Sequence, residues 1–220
     1  MAIYELIKPI VFPPVDEAEP DGLLAIGGDL SPERILYALT IGIFPWFNEG
    51  DPICWWSPDP RFIILPEKAK ISKSLKKDHE RFEIKINANF KNVISNCAKV
   101  PRKNQDGTWI SKDIIDSYTK LHEYGYGYSF EAYYDKRLVG GLYGVLLGKV
   151  FIGESMFHVM SNASKVSFLE LIEFCLKNDV KIIDCQFHTE HLQSLGGEYI
   201  SRKEYLEYLV KFVKSPFIEI

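Results

Sequence analysis

Residues 137–157 read RLVGGLYGVLLGKVFIGESMF. The stretch divides at Gly148–Lys149 into two apolar segments of strand length, and a tight turn between them makes an antiparallel hairpin. One residue does not fit. Val150, Phe151 and Ile152 read as buried, as do Met156 and Phe157, yet Glu154 stands among them. A buried unpaired charge is costly, so this carboxylate needs a partner, a raised pKa or a chemical task.

Working outward, YSFEAYYD (128–135) adds a third strand, turning at Asp135–Lys136. ASKVSFLELIEFCLKN (163–178) is a strong helix, with Ser161 or Asn162 as its cap. KIIDCQF (181–187) is a buried strand and RKEYLEYLVKF (202–212) a last helix. Upstream, RFIILP and FEIKINA read as strands, and ISKSLKKDHE, NFKNVISNCAKV and KDIIDSYTKLHEYG as helices. The first sixty residues are rich in turn formers. They hold one helix after Ser31-Pro32, ended by Gly42, and a Trp-rich loop with a short strand at Ile53–Trp55. The class is α+β. The order of elements resembles the acetyltransferase-like (GNAT) arrangement, in which acyl transfer occurs where two neighbouring central strands splay apart. That superfamily's Arg/Gln-x-x-Gly-x-Gly/Ala pyrophosphate loop would fall at HVMSNASK (158–165), which holds no glycine, so coenzyme A is not supported.

The bulk numbers exclude several classes. No apolar run approaches the roughly 18–20 residues of a membrane span, and the N-terminus reads as no signal peptide. Cys54, Cys97, Cys175 and Cys185 form no CxxC pair, which points to free thiols in a reduced cytoplasm. The five histidines show no metal spacing, so no metal is expected, and no Gly-x-Ser-x-Gly elbow occurs. The net charge is −4, but Glu67–Lys103 holds 11 Lys/Arg against 4 Asp/Glu. That is a local basic stretch on an acidic chain.

Two carboxylates lie in apolar strand contexts, Glu154 and Asp184. Gln186 follows Asp184 by two, and in a strand i and i+2 share a face, so the two side chains are expected side by side, with Cys185 facing the core opposite them. Most of the aromatics are core. Trp46 and Trp109 instead sit in loops among turn residues, where a ring more often lines a ligand surface.

Together these stretches resemble one family, the leucyl/phenylalanyl-tRNA–protein transferases. The resemblance is carried by GLLAIGGDLSPERIL, GIFPWF, WWSPDPRF, GTWIS, LVGGLYGV, GESMF, NASKV, IIDCQ and SLGGEYI, in family order over about residues 22 to 200. Tyr128 and Gly197 depart from the usual His and Ala. The resemblance implies a small N-terminal domain (1–60) and a GNAT-like catalytic domain (61–220) with a mixed, mainly antiparallel sheet. It implies transfer of Leu or Phe, less often Met, from aminoacyl-tRNA to the N-terminal amine of proteins beginning with Lys or Arg. The product is tagged for N-degron degradation. Neither cofactor nor membrane is implied, and a cytoplasmic monomer is expected. By matching motifs, Asp184 and Gln186 are expected at the reaction centre, with Glu154 in the same cleft for the cationic acceptor. Leu142, Phe151, Met156, Phe168, Leu171 and Ile183 should shape the side-chain pocket. Trp46, Trp109 and Tyr118 should lie near the terminal adenosine. Lys73, Lys76, Lys77 and Arg81 are the candidates for tRNA phosphates. The other readings are a coenzyme A-dependent N-acetyltransferase and a non-catalytic RNA-binding module.

Overall fold

The computed structural model describes residues 3–48, 50–100 and 108–213. Its larger sheet grows from the hairpin quoted above. Strand β8 (Arg137–Leu147) turns through Gly148, at φ 56°, into β9 (Val150–His158). Strand β7 (Gly127–Tyr134) precedes β8, and both turn residues between them, Asp135 and Lys136, are left-handed. Such a turn matches the twist of the flanking strands. With β5 (Arg61–Ile64), β6 (Glu83–Ile86), β10 (Ile182–Asp184) and β11 (Glu198–Ile200), the sheet order is β11-β5-β10-β9-β8-β7-β6. Every neighbouring pair is antiparallel except β9 and β10.

That parallel pair places the site. Val150, Phe151 and Ile152 register with Ile182, Ile183 and Asp184, and there the pairing ends. Beyond it the chain of β10 leans toward β5. The Cys185 N–H donates to the Phe62 carbonyl, and the Phe62 N–H donates to that of Gln186. Strand β9 runs on to His158 paired with β8 only, so β9 and β10 part as expected from the order of elements.

Helices cover both faces. Helix α5 (Ala163–Lys177) packs on one, joining Phe168 and Leu171 to Phe130, Leu142, Phe151 and Ile183. The tight approach of α5 requires a glycine at 140, where a Cβ would lie 2.5 Å from that of Ala163. On the other face lie α3 (Phe90–Cys97), α4 (Lys112–Glu123) and α7 (Arg202–Phe212). Their core is continuous with a small sheet in the order β1-β2-β4-β3, of Tyr4–Leu6, Leu23–Gly27, Cys54–Trp56 and Phe44–Pro45. Leu24, Ile35 on α1 (Pro32–Thr40) and Trp55 share one cluster with Val93, Tyr118 and Leu209.

Three local expectations are corrected. Asn162 stands at the N-cap of α5, but its side chain makes no capping bond. Asn162, left-handed at φ 67°, turns its amide to Asp78 instead, tying α5 to α2 (Lys73–His79). The strand in KIIDCQF stops at Asp184. A short helix α6 (Glu190–Ser194), capped by Thr189, and strand β11 follow it where no element was read. Among the described residues, no helix is long and apolar enough to cross a membrane.

Candidate active site

A cavity of about 450 Å³ opens where β9 and β10 part. Leu142, Met156, Phe168, Leu171 and Ile183 make its apolar wall, and Phe44, Pro45, Trp46, Trp109 and Phe187 add further apolar lining. Glu154, Gln186 and His191 supply polar groups. The structure thus brings together nine of the residues expected from the sequence.

Glu154 reaches the cavity through a backbone irregularity. Across β8 and β9, Tyr143 faces Ser155 and Gly144 faces Gly153, so Glu154 is the extra residue of a β-bulge. The bulge breaks the strict alternation that would have read the carboxylate as either core or solvent. Its Oε1 accepts a hydrogen bond from the Tyr118 hydroxyl at 2.8 Å. Burial pushes the Glu154 pKa up to about 8; the Tyr118 hydrogen bond and the Arg61 charge oppose this, and the Asp184 charge adds to it. Burial and the neighbouring Glu154 charge hold the Tyr118 hydroxyl well above its ordinary value, so it stays a donor.

Asp184 lies behind the cavity, fully buried. A carboxylate offers about four lone-pair positions, and here donors take all four. Oδ1 accepts from Arg61 Nε at 2.8 Å and from the Gln186 N–H at 3.0 Å. Oδ2 accepts from Arg61 Nη2 at 2.7 Å and from the Tyr205 hydroxyl at 2.9 Å. The Arg61 guanidinium lies between two rings, 4.7 Å from the Phe44 centroid and 4.6 Å from that of Tyr205. Burial disfavours its charge, but Asp184 and Tyr205 together outweigh that and leave its pKa above the usual value.

The expected side-by-side pair is therefore corrected. Because β10 ends at Asp184 and Gln186 is left-handed at φ 58°, the two side chains do not share a strand face. Asp184 instead holds the Gln186 backbone, and the Gln186 side chain lines the cavity with its buried Nε2 unpartnered. Cys185 is buried in the core on the α5 side, as expected, and also borders the cavity. Burial, with the Asp184 charge, pushes its thiol far up, so it is no thiolate nucleophile.

Two of the expected substrate contacts are placed behind the wall. Tyr118 is fully buried beneath Glu154, and Phe151 is fully buried with its ring edge-on to Phe130. Lys73, Lys76, Lys77 and Arg81 are exposed on and just after α2, and Arg81 pairs with Asp78. Leu75 seats that helix against Val166 of α5. Sequence reading missed Arg61, Tyr205, Phe44 and Phe187. Arg61 carried a usable signal, since a charge opening a strand read as buried is the same anomaly as Glu154. Among the described residues, no group of three or more His, Cys, Asp or Glu could hold a metal ion.

The raised pKa of Glu154 makes a stability prediction. Between its ordinary 4.5 and about 8, the folded chain keeps a proton there that the unfolded chain has lost. Stability from this group is then full below pH 4.5 and is lost as pH rises to 8, by up to roughly 1.4 kcal/mol per pH unit. Glu154→Gln keeps the neutral shape and should flatten that slope in urea denaturation series at pH 5, 6.5 and 8. Parallel slopes for the two proteins would contradict it.

Residues 63–210 match the family described as leucyl/phenylalanyl-tRNA protein transferase, and residues 28–59 match that family's N-terminal domain. Curated proteins named leucyl/phenylalanyl-tRNA–protein transferase are similar over nearly the whole chain. The Flavobacterium johnsoniae protein is 50% identical over 209 residues, covering 94% of this chain and 99% of its own. That of Syntrophotalea carbinolica is 51% identical over 211 residues, 95% and 92% of the two chains. That of an Anaeromyxobacter species is 49% identical over 218 residues, 98% and 93%.

Proposed function

The chain belongs to the leucyl/phenylalanyl-tRNA–protein transferase family, and from that premise we propose that it moves leucine or phenylalanine, less often methionine, from aminoacyl-tRNA to the N-terminal amine of proteins beginning with Lys or Arg. The modified proteins would enter N-degron degradation. The observation that carries the reading is a single cavity with an apolar wall and, on the same surface, a carboxyl and a free amide.

The chemistry needs no covalent enzyme intermediate. Aminolysis of an ester is downhill, and a useful fraction of α-amine is neutral near pH 7, its pKa being about 7.7–8.0. Orienting the two reactants supplies several kcal/mol of the barrier. Leu142, Met156, Phe168, Leu171 and Ile183 take the aminoacyl side chain, and the unbranched Met156 lets the wall fit either a branched aliphatic group or a ring. Phe151 backs that wall. Trp46 and Trp109 offer ring faces to the terminal adenosine. Tyr118 acts through Glu154, which holds the cationic acceptor. Gln186 presents its amide to the reacting ester, and Asp184 fixes Gln186. Lys73, Lys76, Lys77 and Arg81 take acceptor-stem phosphates without reading bases, which suits an enzyme serving several tRNAs.

The test uses radiolabelled leucyl-tRNA and two acceptor proteins differing only in an N-terminal Arg or Ala. Label on the Arg protein alone, and its loss with Gln186→Ala, is the expected result. Bound tRNA with no transfer would replace this reading by an RNA-binding module.

A further inference from the structure

We propose that Glu154 is the proton acceptor of the transfer step, taking the proton of the incoming α-ammonium, and that Asp184 takes none. The inference rests on the transferase reading above and deepens it.

The geometry separates the two carboxylates. All four acceptor positions of Asp184 are filled, by Arg61 twice, Tyr205 and the Gln186 N–H, and no part of it reaches the cavity. Only displacement of one of these donors would free a lone pair. Glu154 lines the cavity and gives one oxygen to Tyr118. The charged and titratable groups around it are Tyr118 from α4, Arg61 from β5 and Asp184 from β10, with Tyr143 on the neighbouring β8. None of them blocks its cavity side.

The other lining groups are unsuited. The Gln186 amide accepts no proton, but its free N–H is a donor for the ester oxygen as that atom gains charge. The Cys185 thiol is kept protonated by burial. His191 is held below its ordinary pKa by burial and the nearby Lys165, whose positive charge also repels an ammonium.

Energetics favour the transfer. An acceptor amine at about 7.7–8.0 meets a carboxyl raised to about 8. One proton shared between them sits on either at nearly equal cost, so the tautomer with a free amine is well populated. In that tautomer the amine nitrogen bonds to the ester carbon and the bond from that carbon to the ribose oxygen breaks. The second proton lost by nitrogen leaves on the ribose oxygen, giving an amide and a free hydroxyl. Glu154 then returns its proton to water.

The experiment compares wild type with Glu154→Gln, using leucyl-tRNA and two Arg-starting peptides. One carries an ordinary α-amine. The other carries an α-hydrazino nitrogen, which is unprotonated at pH 7. Glu154→Gln should lower kcat about tenfold at pH 7 with the ordinary peptide, a loss limited by the α-amine that is already neutral, with its acid limb moved to higher pH. The hydrazino peptide should recover most of that loss, because it brings no proton to remove. A raised KM with unchanged kcat, or equal losses with both peptides, would overturn the inference and leave the transferase reading standing. Wild type that labels neither peptide would overturn both.

Discussion

Arg61→Met is expected to lower the free energy of unfolding by about 3–5 kcal/mol, because it leaves Asp184 as a buried charge without its partner. The guanidinium supplies two of the four donors on that carboxylate, and neither residue has solvent to turn to. For a chain of this size the melting temperature should fall by roughly 10 °C. The loss has a characteristic rescue. In Arg61→Met/Asp184→Asn the neutral amide carbonyl still accepts from Tyr205 or from the Gln186 N–H, so the double variant should recover much of the stability. Urea denaturation of the four proteins in the cycle measures it. Arg61→Met within 1 kcal/mol of wild type would mean that the pair does not stabilise the fold. Transfer should fall along with stability, since the Gln186 N–H bond to Asp184 holds the cavity amide in its left-handed turn.

Why the sequence showed Glu154 and Asp184 but not their surroundings follows from range. A charge inside an apolar run is a local signal, visible from its neighbours. Its partner is not local. Arg61 and Tyr205 lie 123 and 21 residues from Asp184. Tyr118 reads as an ordinary core position on the apolar face of α4, and only the fold shows its hydroxyl beneath Glu154. The cavity residues were placed by matching the family's motifs rather than by strand periodicity, which the bulge in β9 interrupts. Period-2 reasoning failed at Gln186 because β10 had already ended. A buried strand carboxylate is no sign of chemistry by itself. Glu131 on β7 is fully buried, and its donors are the Asn89 N–H and the Ser129 and Tyr133 hydroxyls. What distinguishes Glu154 is a bulge that turns it toward open space, and a register shift of one residue is not written in composition.

That bulge makes Gly144→Ala the other substitution of large expected effect. A Cβ at 144 would lie 2.2 Å from the Ile152 carbonyl and 2.6 Å from the Phe151 ring. The ring is enclosed by Phe130 and its neighbours, and the carbonyl belongs to the strand that carries Glu154 two residues on. Neither gives way alone, so β8 and β9 must separate by about an ångström. Overpacking of this kind costs about 1–3 kcal/mol. The larger consequence is at the site, where a 1 Å misplacement of a reacting group can cost about 100-fold in rate. Gly144→Ala should therefore stay folded and lose transfer out of proportion to its stability. Gly153→Ala provides the contrast, since its Cβ would meet the Asp184 carbonyl at an ordinary 3.5 Å. Its melting temperature should stay near wild type while that of Gly144→Ala falls. Equal melting temperatures for the two variants, with transfer intact in Gly144→Ala, would show that the bulge tolerates a side chain and that the position of Glu154 does not depend on the glycine facing it.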